Sequence, residues 1–281
     1  MADDPNRSRL YQYQHDRSRF ACIVYTLAVV FFALSIIQWI IMIAISNWFF
    51  SVFSSNSDGL RDFITDFYYI SIVALFISMI LVTAFVFFEN LRFAAPINWL
   101  IAVIIVLMTT WGLSRAIVEP NLALFVITVV VVLLLTLMFI LFGIFINHDL
   151  TLDVVIMFVA AVIFFITSVF FVMMQLLAGV KVAFYIYSIF ILLTVLMFLM
   201  YHAQTINGYR YAEMRINDYL LAALIIYHDM TLLLIMSFYL IAKLYALAGG
   251  NGLSLYGESC CANMTNAQNR TYYSENRAMF L

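Results

Sequence analysis

A carboxylate inside an apolar run is the first residue in this sequence whose chemistry asks for an explanation. Asp229 lies in Ala222-Ala223-Leu224-Ile225-Ile226-Tyr227-His228-Asp229-Met230-Thr231-Leu232. Ten residues beyond Tyr219, it reaches ~15 Å into a membrane at helical rise, near mid-depth. A charge at that depth is expensive and calls for a partner. Its neighbours at helical spacing are Ile225, Ile226, Leu232 and Leu233, none of which can pair with it. The partner must stand on another helix, or be water or a proton. Two roles follow: a group that handles an ion or a proton, or a hydrogen-bonding residue that joins helices.

Other titratable residues offer less. His202 and Gln204 end an apolar stretch in Tyr201-His202-Ala203-Gln204, a place where a histidine is usually wet. His228 stands ~100° around the helix from Asp229, which predicts that the two face different places. Asp149 and Asp153, beside His148, would lie one turn apart on a helix starting there and form an acidic mouth for a cation. The plainer reading is a solvated loop, with Asp153 near a helix start where the macrodipole favours an anion. Arg115 and Glu119 read as an interfacial pair of little consequence. The four histidines include no HxxxH or HExxH, and the three cysteines no CxxC. A zinc site from His202, His228 and Asp229 would need ligands from poorly matched directions. Intramembrane serine and aspartyl protease signatures are absent, so neither an enzyme nor a resident cofactor or metal is expected.

The elements that must position these side chains are membrane helices. Of 281 residues, 66% are hydrophobic and only 10% charged, far from the composition of a water-soluble domain. A soluble globule could not hide that much apolar surface. Basic residues number 13 and acidic residues 15, so no positive field exists to attract nucleic acid. Seven stretches are long enough to cross the hydrocarbon layer: Phe20–Ser46, Phe67–Phe88, Ala94–Leu113, Leu122–Ile146, Val154–Leu177, Val182–Gln204 and Tyr219–Ala242. The expected fold is an all-α bundle of seven transmembrane helices in the lipid bilayer. The expected segments are a tail at 1–19, the helical domain at 20–246 and a polar, disordered tail at 247–281.

Orientation follows from basic residues near the span ends. Arg7, Arg9, Arg17 and Arg19 argue for a cytosolic N-terminus, with Arg92, Arg210 and Arg215 on the same side. Arg61, Arg115 and Lys181 fall opposite, while Lys243, Arg270 and Arg277 make a mild conflict. The odd span count puts the C-terminus in a lumen or outside the cell. Acceptor sequons at Asn263 and Asn269, and the pair Cys260-Cys261, suit that side, although Asn6-Arg7-Ser8 shows how cheaply a sequon arises. A G-protein-coupled receptor would have the opposite orientation, and Lys243 sits at a helix end where lysine snorkels.

From Tyr201 onward the chain resembles the transmembrane Bax-inhibitor-motif family, specifically its Lifeguard branch. Tyr201-His202-Ala203-Gln204 occupies the place of the family's tyrosine-aspartate-threonine-glutamine signature, and Asp218-Tyr219 with Ile226-Tyr227-His228-Asp229 resembles the helix-seven signature. Arg92-Phe93 followed by Pro96-Ile97-Asn98 is similar to the opening of helix three, Asp149-Leu150-Thr151 to the turn before helix five, and Val24-Tyr25-Thr26 to the start of helix one. The resemblance implies a seventh helix wrapped by the other six, calcium leak from internal stores and suppression of apoptosis. It also implies a pH-sensitive latch of two aspartates, of which Asp229 matches the second while His202 replaces the first. Arg92 is a candidate counter-charge for that latch. His202 lies only ~9 Å before Gly208, against ~15 Å of depth for Asp229, so contact requires helix six to extend inward or helix seven to start late.

The leading expectation is therefore a leak pathway with Ca2+ as the permeant ion, in the endoplasmic reticulum or Golgi or else the plasma membrane. The alternative is a non-conducting adaptor that binds apoptosis-pathway or receptor membrane proteins through its helices.

Overall fold

In lipid, a long apolar run must satisfy its own backbone, and a helix does so within one segment. The computed structural model describes residues 5–53, 57–117 and 122–247. Its helices are α1 (Pro5–Phe53), α2 (Ser57–Phe87), α3 (Glu89–Phe93), α4 (Ile97–Ile117), α5 (Leu122–Phe145), α6 (Val154–Ala178) and α7 (Lys181–Asn207). A 3-10 turn at Ile216–Asp218 then leads into α8 (Tyr219–Leu247). No strand occurs among the described residues. Seven helices are long and apolar enough to span a membrane, and the five-residue α3 links the second span to the third. The chain is an all-α, multi-pass bundle.

Span ends fall close to those the apolar runs predict, except that α1 runs on to Phe53 and α8 to Leu247, and two helices start early. No break at Phe20 separates a tail from the first span, because α1 already begins at Pro5. Proline is tolerated at a first helical position, where its missing N–H has no intrahelical partner to lose. Similarly, α2 begins at Ser57, ahead of Phe67. The expectations for the 248–281 tail, including Asn263, Asn269 and the Cys260-Cys261 pair, lie outside the described residues, as do those for the side chains of Arg61, Arg115, Glu119, Lys181 and Lys243.

Glycines stop two helices. Gly179 adopts φ 64° and returns its N–H to Gln175 O at 3.1 Å, closing α6 in the left-handed conformation that glycine takes without strain. Gly208 ends α7 differently, at φ 79° and ψ −165°, with its N–H returned to Gln204 O at 3.0 Å. Closely packed pairs are α2 with α4, α6 with α7, α5 with α7, and α1 with both α4 and α7. In α8, 72% of the most apolar window is buried, against 11–39% for the other spans. Ala222, Leu224, Tyr227, Asp229 and Ile235 are all buried, so burial runs round the helix rather than along one stripe. That makes α8 the central helix. The described residues up to Ser237 form one compact unit, and the last stretch of α8 from Phe238 belongs to a second.

Candidate functional site

Asp229 finds its partner on α7. The His202 Nδ1 lies 2.7 Å from Asp229 Oδ2, and Asp229 is 8% exposed. With Oδ2 accepting, Nδ1 carries the proton and donates. The imidazole stacks on Phe198 at 6.1 Å and meets Tyr201 edge-on at 5.6 Å, so neighbours on its own helix set its plane. The depth mismatch closes in the connection. The α7 helix continues three residues beyond Gln204 to Asn207, and Met214 N–H then donates back to Thr205 O at 3.0 Å. Arg215, extended at φ −65° and ψ 138°, carries the chain away again before α8 begins.

A cavity of about 240 Å³ lies beside the pair, walled by Val82, Phe85 and Leu224 among others and bordered by His202, His228 and Asp229. His228 thus shares a border with Asp229, contrary to the helical-wheel expectation. The cavity spreads over the flank of α8 instead of meeting a single point on it, and 100° of helix surface fits along its wall. His228 donates from Nδ1 to Leu224 O at 2.7 Å.

The structure assigns the remaining candidates to other tasks. Arg92 sits 3.1 Å from Asp218, buried at the start of α8, and is not a counter-charge to the latch. Position explains this: α3 holds Arg92 at the helix ends, whereas Asp229 lies ten residues inside α8. Asp149 and Asp153 do not make a shared cation mouth. The Asp149 carboxylate accepts from Thr151 N–H at 2.9 Å, from its hydroxyl at 2.6 Å and from Tyr211 N–H at 2.9 Å. Asp153 instead contacts His148 Nε2 at 2.5 Å. Burial raises the Asp149 carboxyl, but these hydrogen bonds and the Arg210 charge outweigh it and hold the group below the usual carboxylate range. Gln204 pins the same loop to α7, accepting from Leu150 N–H at 2.8 Å and donating to His148 O at 2.9 Å. Among the described residues no three His, Cys, Asp or Glu side chains converge to hold a metal.

No family model, curated protein or solved structure matches the chain.

Two clusters had no reading in the sequence. Arg17 is 2% exposed and donates to Met214 O at 2.5 Å and to Thr205 O, with its guanidinium 5.1 Å from the Phe20 ring. It satisfies a carbonyl in the last turn of α7, where a cation also suits the helix dipole. Glu213 of the same connection bonds Tyr13 OH and, at 2.6 Å, Tyr209 N–H. Burial raises its carboxyl, yet the Tyr13 and Tyr209 hydrogen bonds and the Arg17 charge bring it down overall. Deeper, Tyr227 OH lies 2.9 Å from Ser35 Oγ and 3.2 Å from Thr110 Oγ1, which are 2.6 Å apart. Trp39 donates to Thr110 O at 2.9 Å. This network ties α8 to α1 and α4. The only signal for Arg17 in the sequence is Phe20 one turn along, within stacking reach.

Proposed function

We propose that the chain is a cation-leak protein of an intracellular membrane, releasing calcium from a store and thereby adjusting cell survival, as its resemblance to the Bax-inhibitor-motif family implies. The observation that supports this most is the 2.7 Å contact between His202 and Asp229, on two helices and beside a cavity. A buried carboxylate attracts cations and repels anions, while a partner holding it from the neighbouring helix keeps the path shut. The pair is the latch, Asp229 the ion-attracting group and His202 the group that covers it. The N-terminus is cytosolic, the C-terminus lumenal and the membrane that of the endoplasmic reticulum or Golgi. Endoglycosidase sensitivity abolished by changing Asn263 and Asn269 to Gln tests that orientation.

The α6 helix favours a second reading. Only 11% of its most apolar window is buried, leaving a broad face that lipid or a partner membrane protein can cover. In that reading the protein is a non-conducting adaptor for apoptosis-pathway or receptor proteins, and Asp229 is glue between helices. Calcium efflux from liposomes containing the purified protein separates the two. The leak reading expects efflux above protein-free liposomes and a change in it for Asp229→Leu. Efflux equal to protein-free liposomes overturns it in favour of the adaptor.

A further inference from the structure

We infer that the cavity between α2 and α8 is a binding site for a small amphipathic ammonium compound, an aryl-alkylamine in size and charge, held by Asp229. Three observations carry this. The walls are apolar, from Val82 and Phe85 on α2 and Leu224 on α8, with polar groups confined to His202, His228 and Asp229. The Asp229 carboxylate is half used: Oδ2 meets His202, while Oδ1 accepts no hydrogen bond among the described residues. His228 directs Nδ1 at the Leu224 carbonyl, which only accepts, so its neutral ring has Nε2 left as an acceptor. The polar atoms left over, Asp229 Oδ1 and His228 Nε2, are therefore acceptors, and one carries charge. A primary ammonium has three donors and no acceptor, which matches them. An anion would meet like charge. A calcium ion prefers 6–8 oxygens, and one free carboxylate oxygen does not supply them.

Size narrows the class further. A dry apolar cavity of ~150 Å³ accommodates benzene, so about 240 Å³ takes one aromatic ring with a short amine arm. The ring lies against Val82 and Phe85, and the arm reaches Asp229. Binding of this kind does not rest on the leak and stands whether or not the protein conducts.

The experiment uses the full chain in lipid nanodiscs, dialysed to equilibrium against labelled 2-phenylethylamine, with empty nanodiscs as reference and 2-phenylethanol as the uncharged isostere. Saturable amine binding is expected, weaker by at least about tenfold in Asp229→Asn, with the alcohol indifferent to that change. Val82→Trp fills the cavity from α2, leaves the carboxylate in place and is expected to abolish amine binding. It carries the test if Asp229→Asn does not accumulate. Amine binding no greater than in empty nanodiscs, equal binding of amine and alcohol by the unchanged protein, or amine binding unaltered in Val82→Trp would each overturn the assignment.

Discussion

At His202 and Asp229 a proton acts on one base and one acid, which gain charge in opposite directions. Two facing carboxyls share a proton, and losing it sets like charges against each other. With histidine in one place, protonation of the imidazole gives attraction, and deprotonation leaves a neutral hydrogen bond at the same 2.7 Å contact. Under the leak reading, the latch is tightest with the imidazolium present and never meets the repulsion of two facing carboxylates. The expected leak is low and weakly pH-dependent, and His202→Asp steepens it. Efflux from liposomes across pH 5 to 8 checks this, and an unchanged curve from a normally inserted variant would make His202 a bystander. At this scale the sequence was legible where lipid sets a demand. A carboxylate among Ile225, Ile226 and Leu232 has to be answered from elsewhere, and it is. Hydroxyls set no such demand, because each can bond its own helix: Thr110 donates to Val106 O at 2.6 Å and Thr231 to Tyr227 O at 2.8 Å. The Ser35–Thr110–Tyr227 cluster was therefore invisible. Arg17 reads as a topology signal, and nothing in its spacing announces Thr205 or Met214 as partners.

The elements themselves were the most legible part, since length and apolarity alone decide whether a segment crosses a bilayer. What their sequence does not carry is how near two helices come. Gly143 on α5 leaves no room for a side chain: a Cβ there would stand 2.7 Å from Met200 O and 3.0 Å from Ala203 Cβ on α7. Gly143→Ala must push α5 off α7 beside His202, at a cost of about 1–3 kcal/mol. Thermal unfolding in detergent measures it as a lower midpoint. The connection after α7 gives a pH prediction with a definite sign. Asp149 titrates below its ordinary value of about 3.9, so its stabilising contribution is fully present above that value and is lost as pH falls through the lowered one. Protection of the Tyr211 amide against hydrogen exchange should be flat above about pH 4 and decline below it. In Asp149→Asn the decline disappears and protection is low throughout.

For the whole molecule, the feature that matters is that the last span is the one the others surround. Ser35 reaches its Tyr227 partner across 192 residues of chain, and Arg17 reaches Met214 across 197. A ribosome adding 5–20 residues per second needs roughly 10–40 s to cover that distance. Throughout that interval the Arg17 guanidinium waits for its carbonyl partners, and Ser35 has Thr110 but not yet Tyr227. The contacts that α8 makes with α1 therefore form at least that long after α1 is synthesised. A chain ending before Ile216 keeps six spans yet lacks their organiser, and it should be inserted normally and then cleared. Pulse-chase labelling reads this as equal synthesis with a shortened half-life relative to the full chain. A sensor of unfinished membrane proteins therefore has one late event to register, the docking of α8.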